Sequence, residues 1–296
     1  MIRNAKRNSG FALLLVLLVL AVAGTVLAAA ARRSGLEALR AHSAQRDLQL
    51  RWGALSCRAT VLPRASEILD ERATTVDPII LEARAEVTLG GIRFAMIVAD
   101  ELGKANANFL ADRRGQVALS LALRNLQLLD KEPIPVEPRP SAAAIAQGST
   151  IPIRYYSFDQ LLELDSPEQL VGDADGEDGS ALRRTLTCWG NGSLNVRRAD
   201  VPAMRAVLGD IMSDSQLAAL DDLRRSSPNL LPPEMWPYLG MTQAQARQAN
   251  QRVIPTSNCY SLWVIVEDRT RNWYRFYVQD ESKPAADDRG ELSFAW

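Results

Sequence analysis

Residues 79–108 read IILEARAEVTLGGIRFAMIVADELGKANAN. On either side of Gly90-Gly91, apolar and polar residues alternate with period two, the pattern of strands that bury one face. A Gly-Gly pair supplies the positive φ angles that a two-residue hairpin turn requires. Residues 79 to 100 are therefore expected to form two antiparallel strands. The run from Asp100 to Asn108 then breaks the alternation with polar and small residues.

Upstream, Phe11 to Ala31 is a run of 21 residues without a charge. At about 1.5 Å per residue it is long enough to span the ~30 Å hydrocarbon core of a bilayer. Arg3, Lys6 and Arg7 precede it and Arg32 and Arg33 follow it, so the positive-inside rule orients it only weakly. Residues 1–10 read as a basic leader. From Phe11 to near Leu62 a single helix is expected, because Leu36, Leu39, Leu48, Trp52 and Leu55 recur at largely helical spacing and Pro63 is the first proline. Residues 11–31 would be its transmembrane part. Its second half carries an apolar stripe that a soluble partner, the following sheet, must cover. An ordinary secretory signal is the alternative, with Ala28-Ala29-Ala30 as its small-residue cleavage site.

Downstream, a helix is expected from Gln116 to Leu129, then a connector with Pro133, Pro135, Pro138 and Pro140. YYSFDQLLEL reads as a helix, VGDADGEDGS as an acidic loop, LRRTLTCW as a short strand, and Asn191-Gly192 as a turn. A helix pair follows from Asp200 to Arg225, with Asp200 as N-cap before Pro202. The chain closes with NCYSLWVIVEDRTRNWYRFYVQD, a second hairpin. Strands at both ends with helices between them give an α+β fold: a long N-terminal helix packed on an antiparallel sheet, with a large helical domain inserted between strands. The implied divisions are 63–111 for the first part of the β domain, 112–255 for the helical insertion with its short hairpin and connector, and 256–296 for the C-terminal strands.

The composition, 47% apolar and 23% charged over 296 residues, is that of a folding chain. The net charge of −1 hides an asymmetry: residues 1–60 hold nine Lys/Arg against two acids, so the remainder is acidic. That argues against a nucleic-acid partner. Residues 198–225 resemble a helix-hairpin-helix, yet Asp210, Asp214, Asp221 and Asp222 would repel phosphates. The single histidine, His42, lies between polar residues, and no nucleophile, base and orienting group converge, so no enzyme is expected. Cys57, Cys188 and Cys259 show no zinc spacing. In an oxidising compartment Cys188 and Cys259, in or beside strands, could bridge, leaving Cys57 as a small buried hydrophobe. Asp173, Asp175, Glu177 and Asp178, among Gly172, Gly176 and Gly179, could offer oxygens to Ca²⁺. The loop departs from an EF-hand in its early glycine and in Arg184 at the bidentate-Glu position, and a solvated loop is the preferred reading. No cofactor is required.

Gly10-Phe11, between the basic leader and the span, resembles the processing site of type IV pilins and type II secretion pseudopilins. There, prepilin peptidase cuts after the Gly and methylates the new amine, which would be that of Phe11. Most such subunits carry Glu at the fifth mature position. This chain has Leu15, a departure that resembles the K-type minor pseudopilins of general secretion. Asp100, Glu101, Gly103, Lys104, Asn106 and Asn108 are similar to that family's Asp-Glu-x-Gly-Lys-x-Asn-x-Asn segment. Gly190, Gly192 and Asn195, within TCWGNGSLNV, are similar to its Thr-Val-x-Gly-x-Gly-x-Ile-Asn-Ile segment. The likeness touches the chain from residue 8 to 280. The family's Asp-Trp-Ile-Asp type segment is missing, its place taken by LLDKEPIPVEP.

The resemblance implies a single-pass inner-membrane protein with its C-terminal domain in the periplasm. It would act at the pseudopilus tip to help initiate assembly, with I- and J-type minor pseudopilins, the inner-membrane assembly platform and prepilin peptidase as partners. It also implies calcium in the helical region. A minor pilin of a type IV pilus, or a signal-anchored periplasmic binding domain, are the alternatives. Physically, Asn106, Asn108 and Asn195 suit turns in which a short amide bonds nearby backbone.

Overall fold

The computed structural model describes residues 9–75, 79–125, 155, 157–162, 168–171, 182–267, 272–281 and 291–295. Two compact units result, Met1–Gly53 and Ala54–Trp296. The Pro-rich connector and the acidic loop lie outside the described residues.

The first unit holds most of α1, a continuous helix over Ser9–Val61. Among the described residues it is the one helix long and apolar enough to cross a membrane, its most apolar 18-residue stretch having a mean hydropathy of 2.9. Leu36, Leu39 and Leu48 of the expected stripe are exposed.

Within the second unit, the last turns of α1 bury Ala54 and Cys57, whereas Leu55 is 41% exposed. In these turns the small residues are buried and the leucine that the spacing suggested is not. Arg58 lies over the Tyr277 ring with its guanidinium carbon 5.5 Å from the centroid. The buried face continues through Leu62, in a 3₁₀ turn at Pro63, to Ala65 and Leu69 of α2 (Ala65–Thr75).

Five strands form one antiparallel sheet: β1 (Glu82–Leu89), β2 (Ile92–Asp100), β7 (Cys259–Val266), β8 (Trp273–Asp280) and β9 (Glu291–Ala295), in the order β1-β2-β7-β8-β9. Both expected hairpins are present, and β9 adds a strand not read from the sequence. Leu89 pairs with Ile92 across Gly90 (φ 58°) and Gly91 (φ 80°), the two positive angles of a type I′ turn. Every residue of central β7 is buried, which explains why CYSLWVIV lacks alternation and is apolar but for Ser261. Cys259, Trp263 and Ile265 join the core shared with the helices of the insertion. The strand also borders the 3₁₀ turn Leu62–Arg64.

Between β2 and β7 the chain makes its helical excursion. Helix α3 (Ala107–Asn125) is two helical segments broken at Gly115 (φ 75°, ψ 169°): the second begins at the expected Gln116, and the first, from Ala107, was not read from the sequence. The expected pair is α4 (Val201–Leu208) and α5 (Asp214–Ser226), followed by α6 (Gln243–Asn250). Asp200 caps α4 by accepting from Ala203 N at 2.7 Å. Ser213 with Gln216, and Thr242 with Gln245, form capping boxes for α5 and α6.

Four two-residue strands complete the excursion: β3 (Ala105–Asn106), β4 (Leu186–Thr187), β5 (Leu194–Asn195) and β6 (Val253–Ile254). The short hairpin expected around Asn191-Gly192 is not formed. Instead β4 pairs in parallel with β3, and β5 in parallel with β6. Trp189 explains the divergence, since it leaves β4 for the core, packing on Phe158 at 5.3 Å and Phe276 at 4.6 Å between ring centroids. Ile97, Trp263 and Phe276 of the sheet share one cluster with Met204, Leu217 and Trp236. The inserted helices therefore complete the core of the sheet.

Gly90→Asn should leave stability within about 0.5 kcal/mol of wild type, because Asn-Gly suits the same turn. Gly91→Val should cost roughly 1–3 kcal/mol by forcing a β-branched residue into positive φ. Chemical denaturation of the two variants checks both outcomes.

Candidate functional site

The two motif-bearing segments, far apart in the chain, meet in a buried polar junction at the end of β2. Asp100 closes that strand and caps the 3₁₀ turn Glu101–Gly103, its Oδ1 accepting from Leu102 N at 2.9 Å and Gly103 N at 3.1 Å. Its Oδ2 accepts from Asn195 Nδ2 at 3.0 Å and Ser257 Oγ at 2.6 Å, with Arg198 Nε 3.7 Å away. Asp100 is wholly buried. Burial pushes its pKa up, opposed by the bonds from Ser257 and Asn195, the charge of Arg198 and the Gly103 amide.

Glu101 beside it is equally buried. Its Oε1 accepts from Lys104 Nζ at 2.6 Å and Ser261 Oγ at 2.5 Å, and its Oε2 from Thr187 Oγ1 at 2.5 Å. Lys104 and Glu101 form an ion pair with side chains 1% and 0% exposed. Such a pair persists because hydroxyl donors satisfy the remaining carboxylate lone pairs. Thr187 Oγ1 in turn accepts from Trp189 N at 3.1 Å.

The asparagines do more than the expected turn bonding. Asn106 accepts from Phe109 N at 3.0 Å, as an N-cap for α3, and its Nδ2 donates to Trp189 O at 2.7 Å. Asn108 donates to Tyr155 O at 3.0 Å and Cys188 O at 2.8 Å while accepting from Tyr155 N at 2.6 Å. Asn195 accepts locally from Arg197 N at 3.1 Å, and its Nδ2 reaches both Asp100 and Ser257. Each amide thus combines a local turn or a reciprocal backbone pair with a clamp onto a distant segment.

Close approach governs the glycines. A Cβ on Gly190 (φ +87°) would lie 2.4 Å from Leu102 Cδ2, and one on Gly192 would lie 2.9 Å from Phe109 Cβ. A Cβ on Gly103 would meet Leu81 Cδ1 at 2.5 Å. The small residues of one segment are seated against side chains of the other or of β1's approach.

Ser257, Ser261, Arg198 and Arg183 were not legible as junction residues. The serines lie 157 and 160 residues from their carboxylate partners, and a lone serine has no local signature. Arg183 is 1% exposed, with Nη1 3.1 Å from Glu82 Oε2. Burial lowers its pKa, against the charge of Glu82.

Cys57, Cys188 and Cys259 are all buried thiols with no disulfide among them, so the expected Cys188–Cys259 bridge is corrected. Cys188 Sγ instead lies 3.7 Å from Ser157 O as a weak donor, and Cys259 sits in the apolar core. Gly10 lies in the first turn of α1, with Phe11 71% and Leu15 52% exposed. Asp173, Asp175, Glu177 and Asp178 lie outside the described residues. Among the described residues no three His, Cys, Asp or Glu converge as metal ligands. Chemically, the junction sets two carboxylates against ammonium, hydroxyl and amide donors, an arrangement that fixes where the insertion leaves and rejoins the sheet.

The chain is similar to a chain in the crystal structure of the GspK-GspI-GspJ complex from the enterotoxigenic Escherichia coli type 2 secretion system, with 13% identity and a TM-score of 0.42, over 81% of this chain and 93% of that one. No protein-family model and no curated protein matches the chain.

Lys104→Met should destabilise the protein by about 3–5 kcal/mol, since it leaves the Glu101 charge buried without its counterion. Glu101→Gln with Lys104→Met should recover a substantial part of that loss, and denaturant melts of the single and double variants measure the coupling. Gly190→Ala should cost roughly 2–5 kcal/mol, combining positive φ with overlap on Leu102. A comparable thermal midpoint in that variant would contradict the close approach.

Proposed function

We propose that the chain is a minor pseudopilin of a type II secretion system, of the K type, acting without catalysis at the pseudopilus tip. The observation that carries this reading is the continuous helix Ser9–Val61, which begins in the Ser9-Gly10-Phe11 junction, includes the uncharged run, and leads toward an antiparallel sheet. The junction supports it, because the residues that resemble the family's two internal segments are those that meet at the end of β2.

In this reading, prepilin peptidase removes residues 1–10, and the helix beginning at Phe11 stays in the inner membrane with the residues beyond it in the periplasm. Assembly proceeds by packing: the apolar half of α1 leaves the bilayer for a bundle of like helices, among I- and J-type subunits on the assembly platform. Leu15 removes a carboxylate that would otherwise cost about 2.5–3.5 kcal/mol in the hydrocarbon and need a partner amine. A subunit that starts a fibre has no neighbour ahead of it to satisfy such a carboxylate. The helices of the insertion give the head a bulk that would cap the fibre end. Any calcium in the acidic loop, at Asp173, Asp175, Glu177 or Asp178, would belong to this head.

Mass spectrometry of the membrane-extracted protein should find an N-terminus at methylated Phe11. A mature chain starting at Met1 or Ala31 would overturn this assignment and favour a signal-anchored or secreted binding domain.

A further inference from the structure

A cavity of about 170 Å³ opens beside the junction, walled by Arg197, Arg198 and Arg224 together with Asn195, Tyr260 and Asp70. The arginines converge because the backbone turns tightly after β5, Arg198 N and Ala199 N both donating to Asn195 O at 3.1 and 2.9 Å. This sets Arg197 and Arg198 side by side, facing Arg224 on α5. Arg224 is held in place: it is 3% exposed, donates to Val196 O at 2.8 Å and to Ala199 O, and pairs with Asp221. Asp221 also takes Arg225.

Arg198 is engaged differently. Its Nη2 meets Asp70, its Nε faces Asp100 at 3.7 Å, and its buried Nη1 has no hydrogen-bond partner. Arg197 is half-buried and donates to the backbone carbonyl of Pro228 at 2.7 Å. The acids around the cavity divide in the same way. Asp221 and Asp100 are committed to Arg224 and to the junction, whereas the Asp70 side chain is 69% exposed on α2. Asp70 reaches Arg198 from the solvent side, in the manner of an incoming carboxylate.

We propose that this cavity is a carboxylate-binding site, with Arg198 and Arg197 as its recognition pair and Asp70 as a built-in competitor for Arg198. The planar guanidinium fork matches a carboxylate with paired N–H donors. Arg224 keeps the wall cationic and rigid, and Tyr260, whose hydroxyl is fixed by donating to Ser257 O at 2.7 Å, supplies an aromatic side. The carboxylate comes either from a free small acid or from an acidic side chain of another protein. The inference is independent of the pseudopilin reading, since it uses only residues of the second unit.

The test titrates the detergent-solubilised full chain by calorimetry with succinate, with an acetylated and amidated Ala-Glu-Ala peptide, and with sulfate. Saturable binding of either carboxylate in preference to sulfate is expected. The better of the two identifies the source. Asp70→Asn should tighten that binding, and Arg197→Ala, whose side chain makes no junction contact, should weaken it by about tenfold or more. Arg198→Gln should abolish it, with circular dichroism confirming the fold. No binding by wild type and Asp70→Asn would overturn the site, as would affinity for sulfate equal to that for carboxylate or insensitivity to Arg197→Ala.

Discussion

The fully buried Glu101 carboxylate sets the terms for the rest of the head. A charge removed from water must be met by a counterion and by enough donors to satisfy its lone pairs, or the fold loses several kcal/mol. Three donors arrive from three parts of the chain: Lys104 from the same turn, Thr187 from β4 and Ser261 from β7. Satisfying this one group therefore requires the strand end, the insertion and the returning strand to be in register together. Asp100 makes the same demand one residue earlier, through Asn195 and Ser257.

This arrangement explains how a long helical excursion can interrupt a sheet without becoming a loosely tethered module. The chain leaves β2 at Asp100 and re-enters at Cys259, which precedes Tyr260, the residue paired with Asp100 across the sheet. Apolar packing covers the sheet face through Trp189, Phe158 and Phe276. Apolar contact alone tolerates sliding, whereas a carboxylate with several directed donors does not. The junction contributes position, and the shared core contributes most of the area removed from water.

How far the sequence disclosed this depended on the range of the determining forces. Both hairpins were legible because period-two alternation and the Gly90-Gly91 turn are local properties. The long helix was legible from its uncharged run and the absence of proline. Its buried face was misread at Leu55, which is 41% exposed while Ala54 and Cys57 on either side of it are buried, because apolar spacing does not by itself say which side of the stripe meets the core. The motif residues stood out as a set, yet the asparagines appeared only as turn formers, since their local bonds leave a recognisable pattern and their clamps onto Trp189, Cys188 and Ser257 do not. Two-residue parallel strands carry no periodicity, which is why a local hairpin was expected at Asn191-Gly192. The cysteine pairing failed because spacing and compartment constrain only which thiols could meet, whereas Cys188 and Cys259 sit in one apolar core as buried thiols, each acting as a small hydrophobe.

Why the junction is polar at all follows from the brevity of the strands beside it. A two-residue parallel pairing such as Ala105↔Leu186 and Asn106↔Thr187 supplies too few ladder bonds to define its own register. An apolar junction of the same volume would be as stable or more so, because no desolvation would oppose it. It would also accept a shift of one segment past the other, as hydrophobic surfaces lack directionality. Amide and carboxylate groups penalise such a shift at once, since every displaced donor or acceptor is left buried without a partner. Asn106 and Asn108 bond the carbonyls of Trp189 and Cys188, adjacent residues just past β4. Those two bonds fix a register that the short ladder leaves open, and the glycines at Gly190 and Gly192 then permit the approach that register demands.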